Sequence, residues 1–90
     1  MPKYVIERRV PNAGDLSPDE LKKVAQNFCD VISSAGSRVQ WINSFVTPEK
    51  IYCVYIAETK EIVLEHVQQG KYPASMVSEV ATIIDPTSAN

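Results

Sequence analysis

His66 is the sole histidine in the sequence and the first residue to consider for chemistry. An imidazole titrates close to neutrality, so it can move protons or ligate a transition metal. One imidazole does not close a metal site, and His66 would need Glu, Asp, Cys or a second copy of the chain beside it. Glu65 precedes it, but helical neighbours at i and i+1 diverge by about 100°, whereas ligand pairs stand three or four residues apart. Glu61 and Glu65 do stand four apart, as a like-charge pair that a cation or a partner would relieve. The plainer reading makes His66 a packed histidine satisfied by a hydrogen bond.

Other reactive types are sparse. Cys29 and Cys53 are isolated and fit neither a disulfide framework nor a CxxC motif. Cys53 lies among apolar neighbours, where a thiol behaves as a small hydrophobe, and Cys29 on a helix margin reads the same way. Arg8 and Arg9 are adjacent on a strand pattern, so they point to opposite faces, and one must emerge where helices do not cover the sheet. With Glu7 and Glu79 nearby they read as an interfacial ion pair, or alternatively as an anion-holding arginine. Trp41, Tyr52 and Tyr55 could wall a small-molecule pocket or simply pack. The candidate ligand pocket is Glu7, Trp41, Tyr55, His66 and Tyr72, and His66 is the candidate metal donor. No glycine-rich phosphate loop, paired catalytic carboxylates or triad spacing is present, so no catalytic residue is assigned.

These residues must be positioned by a short list of elements. The first strand is expected at Tyr4 to Val10, ended by the turn residues Pro11 to Asp15. A helix follows with Ser17 as N-cap, Pro18 at its first position and Glu20 completing a capping box. Leu16 and Leu21 stand where a hydrophobic staple belongs. Leu21, Val24, Ala25, Phe28, Val31, Ile32 and Ala35 form one stripe, and Gly36 stops the helix. A second strand from Val39 to Val46 turns through Thr47-Pro48-Glu49-Lys50 into a third, Ile51 to Ala57. A simple hairpin register places Val39, Trp41, Phe45, Tyr52, Val54 and Ile56 on one face. The other carries Ile42, Val46, Ile51, Cys53, Tyr55 and Ala57. Thr59 caps a second helix to about Gln69, ended by Gly70, with Ile62, Val63, His66 and Val67 in its stripe. A last strand is expected from Val77 to Ile84, before a tail that is frayed or reaches a neighbour.

The third strand, Ile51-Tyr52-Cys53-Val54-Tyr55-Ile56-Ala57, is apolar or aromatic throughout. A strand with one wet face would alternate, so this one should be covered on both sides. One layer of helices covers one side only. The other calls for a second subunit or a ligand.

The order β-α-β-β-α-β defines an α+β ferredoxin-like plait, a four-stranded antiparallel sheet with two helices on one face, of the dimeric α+β barrel type. The 90 residues make a single domain, 1–90. A net charge of −2 gives no nucleic-acid footprint. No run approaches the roughly 20 apolar residues of a membrane span, and no signal-peptide core is visible, which leads us to expect a cytoplasmic protein.

The segments Pro2 to Arg8, Gln40 to Thr47, Lys50 to Ala57, Glu65-His66 and Gly70-Lys71-Tyr72-Pro73-Ala74 resemble, in order, a family of small bacterial proteins of unknown function. The resemblance implies a ferredoxin-like dimer, and an actinobacterial branch of that family binds nickel and is histidine-rich, with histidines near the first strand and around the Gly-x-x-Pro-Ala turn. In this chain Arg8, Arg9 and Tyr72 take those places, and His66 is the imidazole that remains. Taken together, the chain reads as a non-enzymatic cytoplasmic homodimer joined through its open sheet face, with a small ligand or a metal ion, nickel included, as candidate cargo. The alternatives are a nickel or other transition-metal binder using His66 with carboxylates, and a small dimeric α+β-barrel oxygenase or isomerase.

Overall fold

β1 (Lys3–Arg9) buries every second residue, Tyr4, Ile6 and Arg8, and leaves those between partly open. That period of two sets the sheet's inner and outer faces. The computed structural model describes residues 1–33, 35–67, 72 and 74–90. Beyond β1 the chain passes through Asn12, whose φ of 61° is left-handed, and a 3-10 turn at Ala13–Asp15. α1 (Pro18–Ser33) then starts as the sequence pattern requires. The Ser17 hydroxyl accepts from Glu20 N–H at 3.2 Å, and Ser17 N–H donates to Glu20 Oε1 at 2.9 Å. Val24 and Phe28 are the stripe residues this helix buries most deeply.

β2 (Val39–Val46) and β3 (Lys50–Ala57) form a hairpin. Thr47 N–H donates to Lys50 C=O at 2.9 Å, and Thr47 Oγ1 accepts from Lys50 N–H at 3.1 Å. The loop after β1 docks on this turn: Gly14 N–H donates to Pro48 C=O at 3.2 Å, and a Cβ on Gly14 would sit 3.0 Å from Pro48 Cα. α2 (Lys60–Val67) is capped by Thr59, whose hydroxyl accepts from Ile62 N–H at 3.2 Å. The expected end of this helix at Gln69 and Gly70 lies outside the described residues. β4 (Ala74–Glu79) completes an antiparallel sheet in the order β2-β3-β1-β4. This is the ferredoxin-like plait, and its core joins Tyr4, Ile6, Ile51, Cys53 and Tyr55 of the sheet to Val24 and Phe28 of α1 and Val63 of α2. No helix among the described residues is long and apolar enough to cross a membrane.

Two expectations are corrected. Val46 pairs with Ile51 and Phe45 with Tyr52, as the hairpin spacing implies, but Ile42 is an extra residue bulged out between Trp41 and Asn43. The bulge reverses the alternation upstream, so Trp41 pairs with Tyr55 and Val39 with Ala57. Val39 and Trp41 therefore join the helix-covered face. The last strand is Ala74–Glu79 where Val77–Ile84 was expected. β1 begins at Lys3, whose carbonyl accepts from Val80 N–H at 2.8 Å, so the ladder has no partner beyond that point. Ile83 and Ile84 consequently stand exposed on the tail.

Candidate functional site

Arg8 faces the helices from the middle of the sheet and is 1% exposed. Its position follows from the alternation of β1: Ile6 and Arg8 point inward, Glu7 and Arg9 outward. One terminal nitrogen donates to the Tyr72 carbonyl. The other donates to the Tyr55 hydroxyl at 3.3 Å. Cζ lies 4.9 Å from the centroid of the Phe28 ring, a cation–π contact made away from water. Nε–H is buried with no hydrogen-bond partner.

Among the described residues of the single chain neither Arg8 nor Arg9 forms an ion pair with Glu7 or Glu79. Glu7 points to the other face and pairs with Lys50. Glu79 stands opposite Tyr4 and accepts from its hydroxyl at 3.4 Å. Arg9, rather than Arg8, is the arginine that emerges at the surface. A buried guanidinium held only by a carbonyl, a phenol and an aromatic face is compensated for hydrogen bonding in part and for charge not at all.

Aromatic rings surround this group. Phe28 meets Trp41 edge-on at 5.7 Å and Tyr72 at 6.1 Å. Burial, with a smaller contribution from Cys53, pushes the Tyr55 hydroxyl up to about 12 against the opposing influence of Arg8. Between α1 and the β2–β3 hairpin a cavity of about 200 Å³ is walled by Leu21, Val24 and Phe28 on one side and Trp41, Val46 and Ile51 on the other. Its polar element is Ser44, whose hydroxyl accepts from the Trp41 indole N–H at 2.9 Å. A second cavity of about 250 Å³ lies across α1, bounded by Leu16, Glu20, Lys23, Val24 and Tyr72.

Of the residues singled out from sequence, Trp41, Tyr55 and Tyr72 gather around Phe28 and Arg8. Glu7 stands on the opposite face of the sheet. His66 is half-buried in the last turn of α2. Among the described residues no three His, Cys, Asp or Glu side chains come together as a metal-holding group. Cys53 is fully buried and Cys29 exposed. Sequence reasoning missed Phe28 as a member of the site, because its place in an apolar stripe explained it already. It missed the bulge at Ile42, which turns Trp41 inward.

Among the described residues no helix covers the outer face of the sheet. Val5, Tyr52, Val54 and Ile56 are half-buried there by their neighbours alone. Phe45 and Met76 flank them at 57% and 58% exposure.

Residues 4–80 match the family described as SCO4226-like, Nickel responsive protein SCO4226-like, and the chain belongs to that family. The fold is similar to the crystal structure of SCO4226 from Streptomyces coelicolor A3(2), with a TM-score of 0.72 and 18% identity over 91% of this chain and 99% of that one. No curated protein matches the chain.

Proposed function

We propose that this is a non-enzymatic cytoplasmic protein that works as a homodimer, two copies meeting through their open sheet faces, and that it holds a small ligand or a metal ion. The observation that supports pairing is the outer face itself. Val5, Tyr52, Val54 and Ile56 form an apolar centre, and Phe45 and Met76 extend it toward the edges. Soluble monomers rarely leave contiguous apolar patches above a few hundred Å² uncovered. Sedimentation velocity at micromolar concentration tests it. The expected species has twice the 10.0 kDa chain mass, and a protein that stays monomeric overturns the reading.

Nickel is the second reading, favoured by the description of the family. The donors of one chain do not fit a nickel site, since no three come together among the described residues and there is a single histidine. A site built on His66, on the helix side of the sheet, would have to draw carboxylates from a second copy docked there and not from the copy across the open face. Calorimetric titration of nickel into wild type and His66→Gln decides: stoichiometric binding that disappears in the variant supports the reading, and a dimer that takes up no nickel overturns it.

A further inference from the structure

The helix-covered side of the sheet carries a positive charge that no acidic side chain among the described residues pairs. The Lys50–Glu7 pair is the ion pair formed among the described residues, and it lies on the other face. The six positions outside the described residues are Ser34, Gln68, Gln69, Gly70, Lys71 and Pro73, none of them acidic. Arg8 thus stays charged, buried and without a carboxylate, with Nε–H unpartnered. Arginine cannot shed its proton to relieve this, and its planar fork is shaped for a carboxylate.

We infer that the Arg8 guanidinium is an anion-binding group whose ligand is a small carboxylate with an apolar body seated between α1 and the β2–β3 hairpin. The cavity there is adjacent: Phe28 lines it and also covers the guanidinium, and Ile51 lines it while standing directly opposite Arg8 in the ladder. Because the Phe28 ring both lines the cavity and covers the guanidinium, a ligand's carboxylate would reach Arg8 by displacing that ring. At about 200 Å³ the cavity is smaller than the roughly 300–1,000 Å³ of drug-sized sites, so the body is that of a single ring or a branched chain. Its walls are almost wholly apolar, which selects against inorganic anions. The Tyr55 hydroxyl, already within 3.3 Å of Arg8, supplies a second donor. The inference rests on the ligand-holding part of the proposed function and not on pairing, which uses the other face.

Phenylacetate, its neutral amide and inorganic phosphate are the probes, titrated into the full chain. The readouts are fluorescence of Trp41, the sole tryptophan and a cavity wall, and the thermal midpoint. Phenylacetate should give a saturable fluorescence change and raise the midpoint, binding at least about tenfold more tightly than the amide or phosphate. Arg8→Met, which keeps the length and removes the charge, should abolish that preference. If Arg8→Met does not fold, the comparison of carboxylate with amide in the wild type decides alone. Equal response to acid and amide, a response to phosphate as strong as to phenylacetate, no response at millimolar concentrations, or an unchanged preference in Arg8→Met would each overturn the inference. Sedimentation of the same samples keeps this outcome separate from that of pairing, since a dimer that ignores phenylacetate refutes the ligand alone.

Discussion

Arg8 and Tyr55 share a hydrogen bond inside the core. Burial holds the Tyr55 hydroxyl protonated, its pKa rising from 10.0 to about 12 in the folded chain. A folded-state value above the unfolded one means that the contribution to stability is fully present below pH 10 and is lost as pH climbs through about 12. The denaturation midpoint should therefore fall across that window, and the fall should be smaller in Tyr55→Phe, which has no proton to lose there. How Arg8 would be placed was only half legible. Adjacency told that Arg8 and Arg9 face opposite ways, but not which one goes inside. The expected glutamate partners fail on geometry: Glu7 neighbours Arg8 and so points to the other face, while Glu79 pairs with Tyr4, four residues along β1 and about 13 Å away.

Among the elements, α1 was the most legible because its start is written in side chains that bond to its own backbone. Ser17 and Glu20 exchange the two hydrogen bonds of a capping box. Ser17→Ala should cost about 1 kcal/mol in urea denaturation and leave the oligomeric state unchanged. The hydrogen bond that the Glu20 carboxyl accepts from Ser17 N–H, with the Ser17 hydroxyl beside it, holds that carboxyl below its ordinary value. Its contribution is therefore present above the unfolded pKa and fades as pH falls through the folded one. The strands were legible where local signals define them and not where the ladder does. Pro48-Glu49 between Thr47 and Lys50 marked the hairpin and its register up to Asn43. The bulge at Ile42 has no signature, since Trp41, Ile42 and Asn43 satisfy a regular strand equally well on paper. β4 was displaced toward the tail because Val80, Ile83 and Ile84 are as strand-like as Val77, whereas β1 offers no partner beyond Lys3.

At the scale of the whole molecule, the two faces of the sheet divide the work. The inner face builds the core with the helices and encloses Arg8, and the outer face has an apolar centre that no helix among the described residues covers. The continuous apolar run of β3 announced this division, because Ile51, Cys53 and Tyr55 satisfy the helices while Tyr52, Val54 and Ile56 are left for something else. Val54 sits at the centre of the outer face, paired with Val5 on one side and Asn43 on the other. In a single chain Val54→Lys points its ammonium at water, so folding should be affected little. In a dimer closed through this face the same ammonium is buried between the two sheets, where Glu7 on its own face is already paired with Lys50, and that burial costs several kcal/mol. Val54→Lys should therefore sediment as a folded monomer, and its thermal midpoint should lose the dependence on protein concentration that a dimer shows. Leu64→Lys, on the partly exposed flank of α2, is the control that adds the same charge away from the sheet and should leave the dimer intact. If both variants sediment like the wild type as dimers, the pairing surface lies elsewhere than on the open face.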